Sequence, residues 1–198
     1  MADAIVNTSP LVYLYRIGAL DWLPQLLDAI WTPNAVVVEL GEGRRLGYDV
    51  PNPADLAWLC LVDPRVIPSE WLTLDLGAGE LAALALGLEN PNCIVVLDDA
   101  LARRIAQAAG LQVWGTLRVL LEAKSRGWVE SIAPLVTRLA DRGMWISDDV
   151  RRRITRSRVK CDNCVIAPCA PRPDRFCTLR AGQVCGATNF LRNALREG

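Results

Sequence analysis

Short apolar runs, uninterrupted at 4–6, 29–31 and 93–97 and broken only by Gln112 at 111–114, set the strongest limit on how this chain can fold. Each is too short for a buried helix, and each is apolar on both of its alternating faces, so both faces must be covered. Helix-like segments lie between them. Thr8-Ser9-Pro10 caps a helix over 10–17 that Gly18 stops, a second short helix covers 21–27, and Thr32-Pro33 starts a third that ends near Gly41. Residues 41–53 form a turn-rich loop, followed by a helix over 54–59 and an extended stretch over 61–72. Further helices are expected at 79–88, 100–109, 116–125 and 132–142, then a short strand at 144–146 and a basic helix from Ser147. Strands alternating with helices in this way make an α/β fold, with a mostly parallel sheet covered on both faces.

With 198 residues, 52% hydrophobic content and seven Trp, the chain can bury the core of one ordinary domain and carry an appendage. The N-terminus lacks a basic segment leading into an apolar one, and Glu89-Asn90-Pro91-Asn92 breaks the longest apolar candidate, so the expectation is a soluble cytoplasmic protein that does not enter a membrane. The net charge of zero hides a division. Residues 151–198 hold eleven Lys/Arg against three acids, and residues 1–150 hold eleven against nineteen. A basic tail on an acidic body is a pattern of polyanion binding, because each Lys or Arg that meets a phosphate releases counterions. A solvated tail without a partner is the plainer reading.

The cysteines divide along the same line. Cys60 and Cys93 sit in apolar runs as small core residues, whereas Cys161, Cys164, Cys169, Cys177 and Cys185 have the spacing C-x2-C-x4-C-x7-C-x7-C. The single tight pair is a weak zinc signal, and a disulfide framework does not suit a chain without signs of secretion. The expected organisation is a domain over 1–156 and a basic, Cys-containing, poorly ordered extension over 157–198.

The chain has no His, so a His general base, a catalytic triad and His-containing zinc sites are excluded. Oxygen ligands remain. Asn7 follows the first strand, Glu39 lies in PNAVVVEL, Glu80 in LGAGELAALAL, and Asp98-Asp99 end the strand in CIVVLDDALARRIA. Ligands of open parallel sheets gather at the carboxyl ends of the strands, where Asn7, Asp98 and Asp99 would share a rim. Each also has an ordinary reading: Asp98 or Asp99 as a helix N-cap, Glu80 as a first-turn acid complementing the helix dipole, Glu39 as a solvated helix face, Thr8-Ser9 as a cap.

Taken in order, NTSPL after the first strand, V-x-E-L, D-x-G-x-x-E-x-A-A-L-A-L, VVLDDALARRIA and GTLRVLLEAK resemble the PIN domain over about residues 4–156. More narrowly, they look like the branch of that family related to the toxins of toxin–antitoxin pairs. The resemblance implies a three-layer α/β/α nuclease that hydrolyses RNA with Mg²⁺ or Mn²⁺. Its acidic positions correspond to Asn7, Glu39, Glu80 and Asp99, with Asp98 adjacent. Glu39, Glu80 and Asp99 would hold metal, while Thr8 and Ser9 would meet ligands or phosphate. RNA, an antitoxin protein and a second copy of the chain are the implied partners, the last through the apolar helices at 116–125 and 132–142. Asn7 departs from the Asp usual at its position. A catalytically weak or inactive RNA-binding or protein-binding module on the same fold therefore stays open beside the nuclease, whereas a nucleotide-binding domain is disfavoured by the lack of a glycine-rich phosphate loop.

Overall fold

The structure is a computed structural model that describes residues 2–68, 71 and 74–156. Five strands form one sheet: β1 (Ala4–Val6), β2 (Ile30–Thr32), β3 (Leu59–Leu61), β4 (Ile94–Val96) and β5 (Gln112–Trp114). Their order is β3-β2-β1-β4-β5 and every pairing is parallel. Parallel neighbours need crossovers, and helices supply them. These are α1 (Thr8–Arg16), α2 (Leu23–Leu26) behind a 3-10 turn at Leu20–Trp22, α3 (Asn34–Arg45), α4 (Ala78–Glu89), α5 (Ala100–Ala108) and α6 (Thr116–Ser125). The chain continues into α7 (Ala133–Asp141) and α8 (Asp148–Arg156). Among the described residues no helix is long and apolar enough to cross a membrane.

Alternation along the strands divides the interior into two cores. Ala4, Val6, Ile30, Ile94 and Val96 face a layer formed by α1, α2, α6 and α7 together with Val36 and Leu40 of α3. The intervening Ile5, Val95 and Leu97 face α4 and α5 through Ala83, Leu84, Leu86, Ala102 and Ala106. The result is three layers, α/β/α. Helix α4 is buried along nearly its whole length, from Gly79 and Leu81 to Gly87, as expected for a helix whose apolar residues run all the way round.

Several expectations are corrected. Helix α3 does not end near Gly41; it runs on to Arg45, and the chain turns only at Gly47, whose φ of 81° suits glycine. The helix expected over 54–59 shrinks to a 3-10 turn at Pro53–Asp55, because the following residues join the sheet as β3 along the free edge of β2. An edge strand is paired on one side only. Cys60, expected in the core, is accordingly exposed on β3, whereas Cys93 is buried as expected. No strand forms at 144–146, which instead links α7 to α8. The extension from residue 157, with its five cysteines, lies outside the described residues.

Candidate active site

The strand order reverses between β1 and β4, the position where open α/β sheets leave a crevice at their carboxyl edge. Val6 is level with Val96, so Asn7 stands beside Leu97, and Asp98 and Asp99 continue from the same edge. The Asn7 backbone N–H donates to the Val96 carbonyl at 3.2 Å and extends the ladder into the site. Helices α3 and α4 pack on each other and bring Glu39 and Glu80 to the α1 end of β1.

Side chains from three helices and one strand end meet there. Asn7 Nδ2 donates to Glu80 Oε1 at 2.8 Å across 73 residues of sequence. The Thr8 hydroxyl donates to Glu39 Oε2, and the Gly79 N–H in the first turn of α4 donates to Glu39 Oε1 at 2.8 Å. Glu39 is thereby held at both oxygens by neutral donors. Thr8 has one hydroxyl proton, and this contact uses it, so Thr8 positions Glu39 rather than donating to a phosphate. Ser9 follows on α1, half-buried.

Two glycines leave room beside these groups. A Cβ on Gly79 would lie 2.6 and 2.9 Å from the two Glu39 oxygens and 2.8 Å from Asn7 Oδ1, and one on Gly77 would collide with Glu80 Oε2. The oxygens of Asn7 and Glu39 therefore converge on one small space above α4. Asn7 is fully buried, and its Oδ1 has no hydrogen-bond partner among the described residues. A buried acceptor without a donor is costly unless something fills that role.

The two aspartates divide their work. Asp98 accepts the Thr116 N–H at 2.8 Å and the Thr116 hydroxyl at 2.6 Å, which ties the end of β4 to the start of α6. Burial pushes its carboxyl above the usual range, against the opposing pull of Thr116 and of the nearby Arg103 guanidinium. Arg103 in turn donates through Nη1 to the carbonyls of Leu97 at 2.8 Å and Trp114 at 2.9 Å, closing the ends of β4 and β5. Asp98 is thus a structural tie. Asp99 is exposed at the N-cap of α5, where its Oδ1 accepts the Ala102 N–H at 2.7 Å. The capping reading is correct for Asp99, and its second oxygen takes no part in that bond.

Among the described residues no ion pair reaches Glu39 or Glu80, and no three His, Cys, Asp or Glu side chains are gathered closely enough to hold a metal ion. Two carboxylates and the unsatisfied carbonyl oxygen of Asn7 do converge, with Asp99 on the same edge. This all-oxygen donor set fits a hard divalent cation. The Gly79 N–H, the glycines that make room for Glu39 and Glu80, and the Thr116–Asp98 tie were not singled out in the sequence. The G-x-G-E stretch at the start of α4 was the available signal for the first two. A family model described as a PIN domain matches residues 3–159. No curated protein matches the chain.

Proposed function

The chain belongs to the PIN-domain family, whose members are typically nucleases, and from that premise we propose that it is a divalent-metal-dependent ribonuclease that hydrolyses phosphodiester bonds at the carboxyl edge of β1 and β4. The observation that carries this reading is the convergence of Asn7 Oδ1 and the Glu39 carboxylate over Gly79, with Glu80 hydrogen-bonded to Asn7. Glu39, Glu80 and Asp99 would hold the cation, Mg²⁺ or Mn²⁺, with the Asn7 carbonyl oxygen as a neutral fourth donor. When bound, such an ion neutralises charge on the phosphate oxygens and supplies a water readily converted to a nucleophile. The chain's own groups do the positioning. Thr8 and the Gly79 N–H fix the Glu39 carboxylate in one orientation, leaving lone pairs to orient or accept a proton from a water. Asn7 holds Glu80 by donating to Oε1, leaving Oε2 for a ligand. Ser9, at the start of α1, would be the hydroxyl that meets a phosphate. A toxin role with an antitoxin partner, and a homodimer, are the finer readings that the likeness to the toxin branch supports.

A second reading keeps the fold and drops the chemistry. It draws on the neutral Asn7 and on the N-cap bond of Asp99, which give a binding module without a full set of free acids. Cleavage of a labelled single-stranded RNA with Mn²⁺, with Mg²⁺ and with chelator separates the two. The nuclease reading expects cutting that stops with chelator and in Glu80→Gln. RNA binding without metal-dependent cutting in the wild type would leave the binding module.

A further inference from the structure

Beside the proposed site, a groove of about 650 Å³ runs from Asp98 across α5 and the start of α6 to the linker between α7 and α8. Among the described residues its cationic lining is Arg103, Arg104 and Arg118, and its one lining carboxylate, Asp98, is occupied by Thr116. Arg104 lies on the exposed face of α5. The Arg118 guanidinium sits 5.7 Å from the centre of the Trp114 ring and pairs with Glu122 in an ion pair whose Arg side is 56% exposed. Exposed pairs of that kind contribute little and exchange readily with a competing anion. Across the groove stands Trp145, 87% exposed, the most exposed of the large hydrophobic side chains described. The nearby Asp149 is directed to Arg153 at 3.7 Å and is not part of the lining.

Positive charge along a channel and an unpaired aromatic ring are what an unpaired nucleic-acid strand needs, because phosphates follow the charge and a base can stack on the ring without regard to sequence. A duplex keeps its bases stacked inside and offers such a ring nothing. We infer that this groove is the path of single-stranded RNA beside the cleavage site, with one unpaired base stacked on Trp145 and its flanking phosphates on Arg104 and Arg118. This rests on the nuclease reading for its place in the reaction, but the binding itself needs no metal. The groove begins at Asp98, next to Asp99, so a strand lying in it would present its next phosphate toward the acids.

The test uses the full chain in chelator, so that binding is read without cleavage. A single-stranded oligoribonucleotide carrying 2-aminopurine reports stacking by fluorescence quenching, and anisotropy of an end-labelled strand reports affinity. Trp145→Ala is expected to weaken binding about tenfold and to abolish part of the quenching, while Trp145→Phe restores both, since any aromatic face stacks. Arg118→Ala is expected to weaken binding severalfold and to reduce its salt dependence. Wild-type affinity and quenching in Trp145→Ala would overturn the inference, as would equal affinity for a duplex of the same sequence. Loss of self-association in Trp145→Ala with RNA binding intact would also overturn it, by making the groove a contact between protein chains. Glu80→Gln keeps the two readings apart. Normal RNA binding by a non-cleaving Glu80→Gln leaves the groove standing on its own, and Trp145-dependent binding by a wild type that never cleaves removes the nuclease reading alone.

Discussion

Replacing Asn7 by Asp puts the geometry under the sharpest stress. In the wild type Asn7 Nδ2 donates to Glu80 Oε1 at 2.8 Å; the aspartate would place an oxygen there instead. The lost bond to a charged acceptor removes about 1.5–3 kcal/mol. Two carboxylates with charge centres about 4 Å apart also repel by about 4 kcal/mol at an effective dielectric near 20. Proton uptake caps the total. Folding with the new carboxyl protonated costs about 4 kcal/mol at pH 7 but about 1.5 kcal/mol at pH 5, given the ordinary carboxyl value near 4. The metal-free variant should therefore be less stable than wild type by about 3–4 kcal/mol at pH 7 and about 1.5 kcal/mol at pH 5. The folded variant keeps a proton that the unfolded chain has released, so its stability falls as pH rises over that window. A divalent cation can replace the proton. Once it does, the added charge raises Mn²⁺ affinity about fivefold over wild type, a net gain of about 1 kcal/mol after repulsion and desolvation, so saturating Mn²⁺ recovers about 1 kcal/mol of the loss. Urea denaturation at both pH values, with chelator and with Mn²⁺, measures all of this. A metal-free variant as stable as wild type at pH 7 would refute the Asn7–Glu80 arrangement.

Three further substitutions probe separate parts of the site. Gly79→Ala should favour the helix by about 1 kcal/mol on propensity, but its methyl would displace Glu39; Mn²⁺ affinity is expected to fall at least about fivefold while stability to urea changes by less than about 2 kcal/mol, and unchanged Mn²⁺ affinity would contradict the account. Asp99→Asn retains a good N-cap, so thermal stability should stay within about 0.5 kcal/mol of wild type while Mn²⁺ binding and cleavage drop; equal metal binding would remove Asp99 from the site. Burial holds the Asp98 carboxyl above its ordinary range, so wild type loses this contribution as pH rises from the ordinary carboxyl value through the raised one. Asp98→Asn cannot titrate and still accepts from Thr116, so its stability should fall less steeply over that interval, and an identical slope in urea titrations would exclude the assignment.

Much of the scaffold was legible because strands buried on both faces must be written as continuous apolar runs, as at Ile94–Val96 and Ala4–Val6. β3 escaped because Leu59–Leu61 is an edge strand whose extended state is set by β2, not by its own three residues. Local propensity likewise missed the end of α3, where packing of Leu40 and the turn at Gly47 outweigh Gly41 and Gly43. The candidate acids were found as members of an ordered family pattern rather than from local chemistry. Their partners were not visible, since Asn7 meets Glu80 across 73 residues and Glu39 meets Gly79 across 40. Asp98 and Asp99 are adjacent and look equivalent in sequence. Only Thr116, 18 residues on, assigns the first to the scaffold and leaves the second exposed at the rim.

Anomalous diffraction at the manganese edge from a crystal of the full chain grown with Mn²⁺ tests the central claim most directly. The account predicts one principal peak over Gly79, with Glu39, Glu80 and Asp99 each reaching it either directly, at about 2.0–2.4 Å, or through a coordinated water, and Asn7 Oδ1 turned to the ion. Well-ordered protein with no peak there, or with Mn²⁺ bound only at other carboxylates, would contradict it.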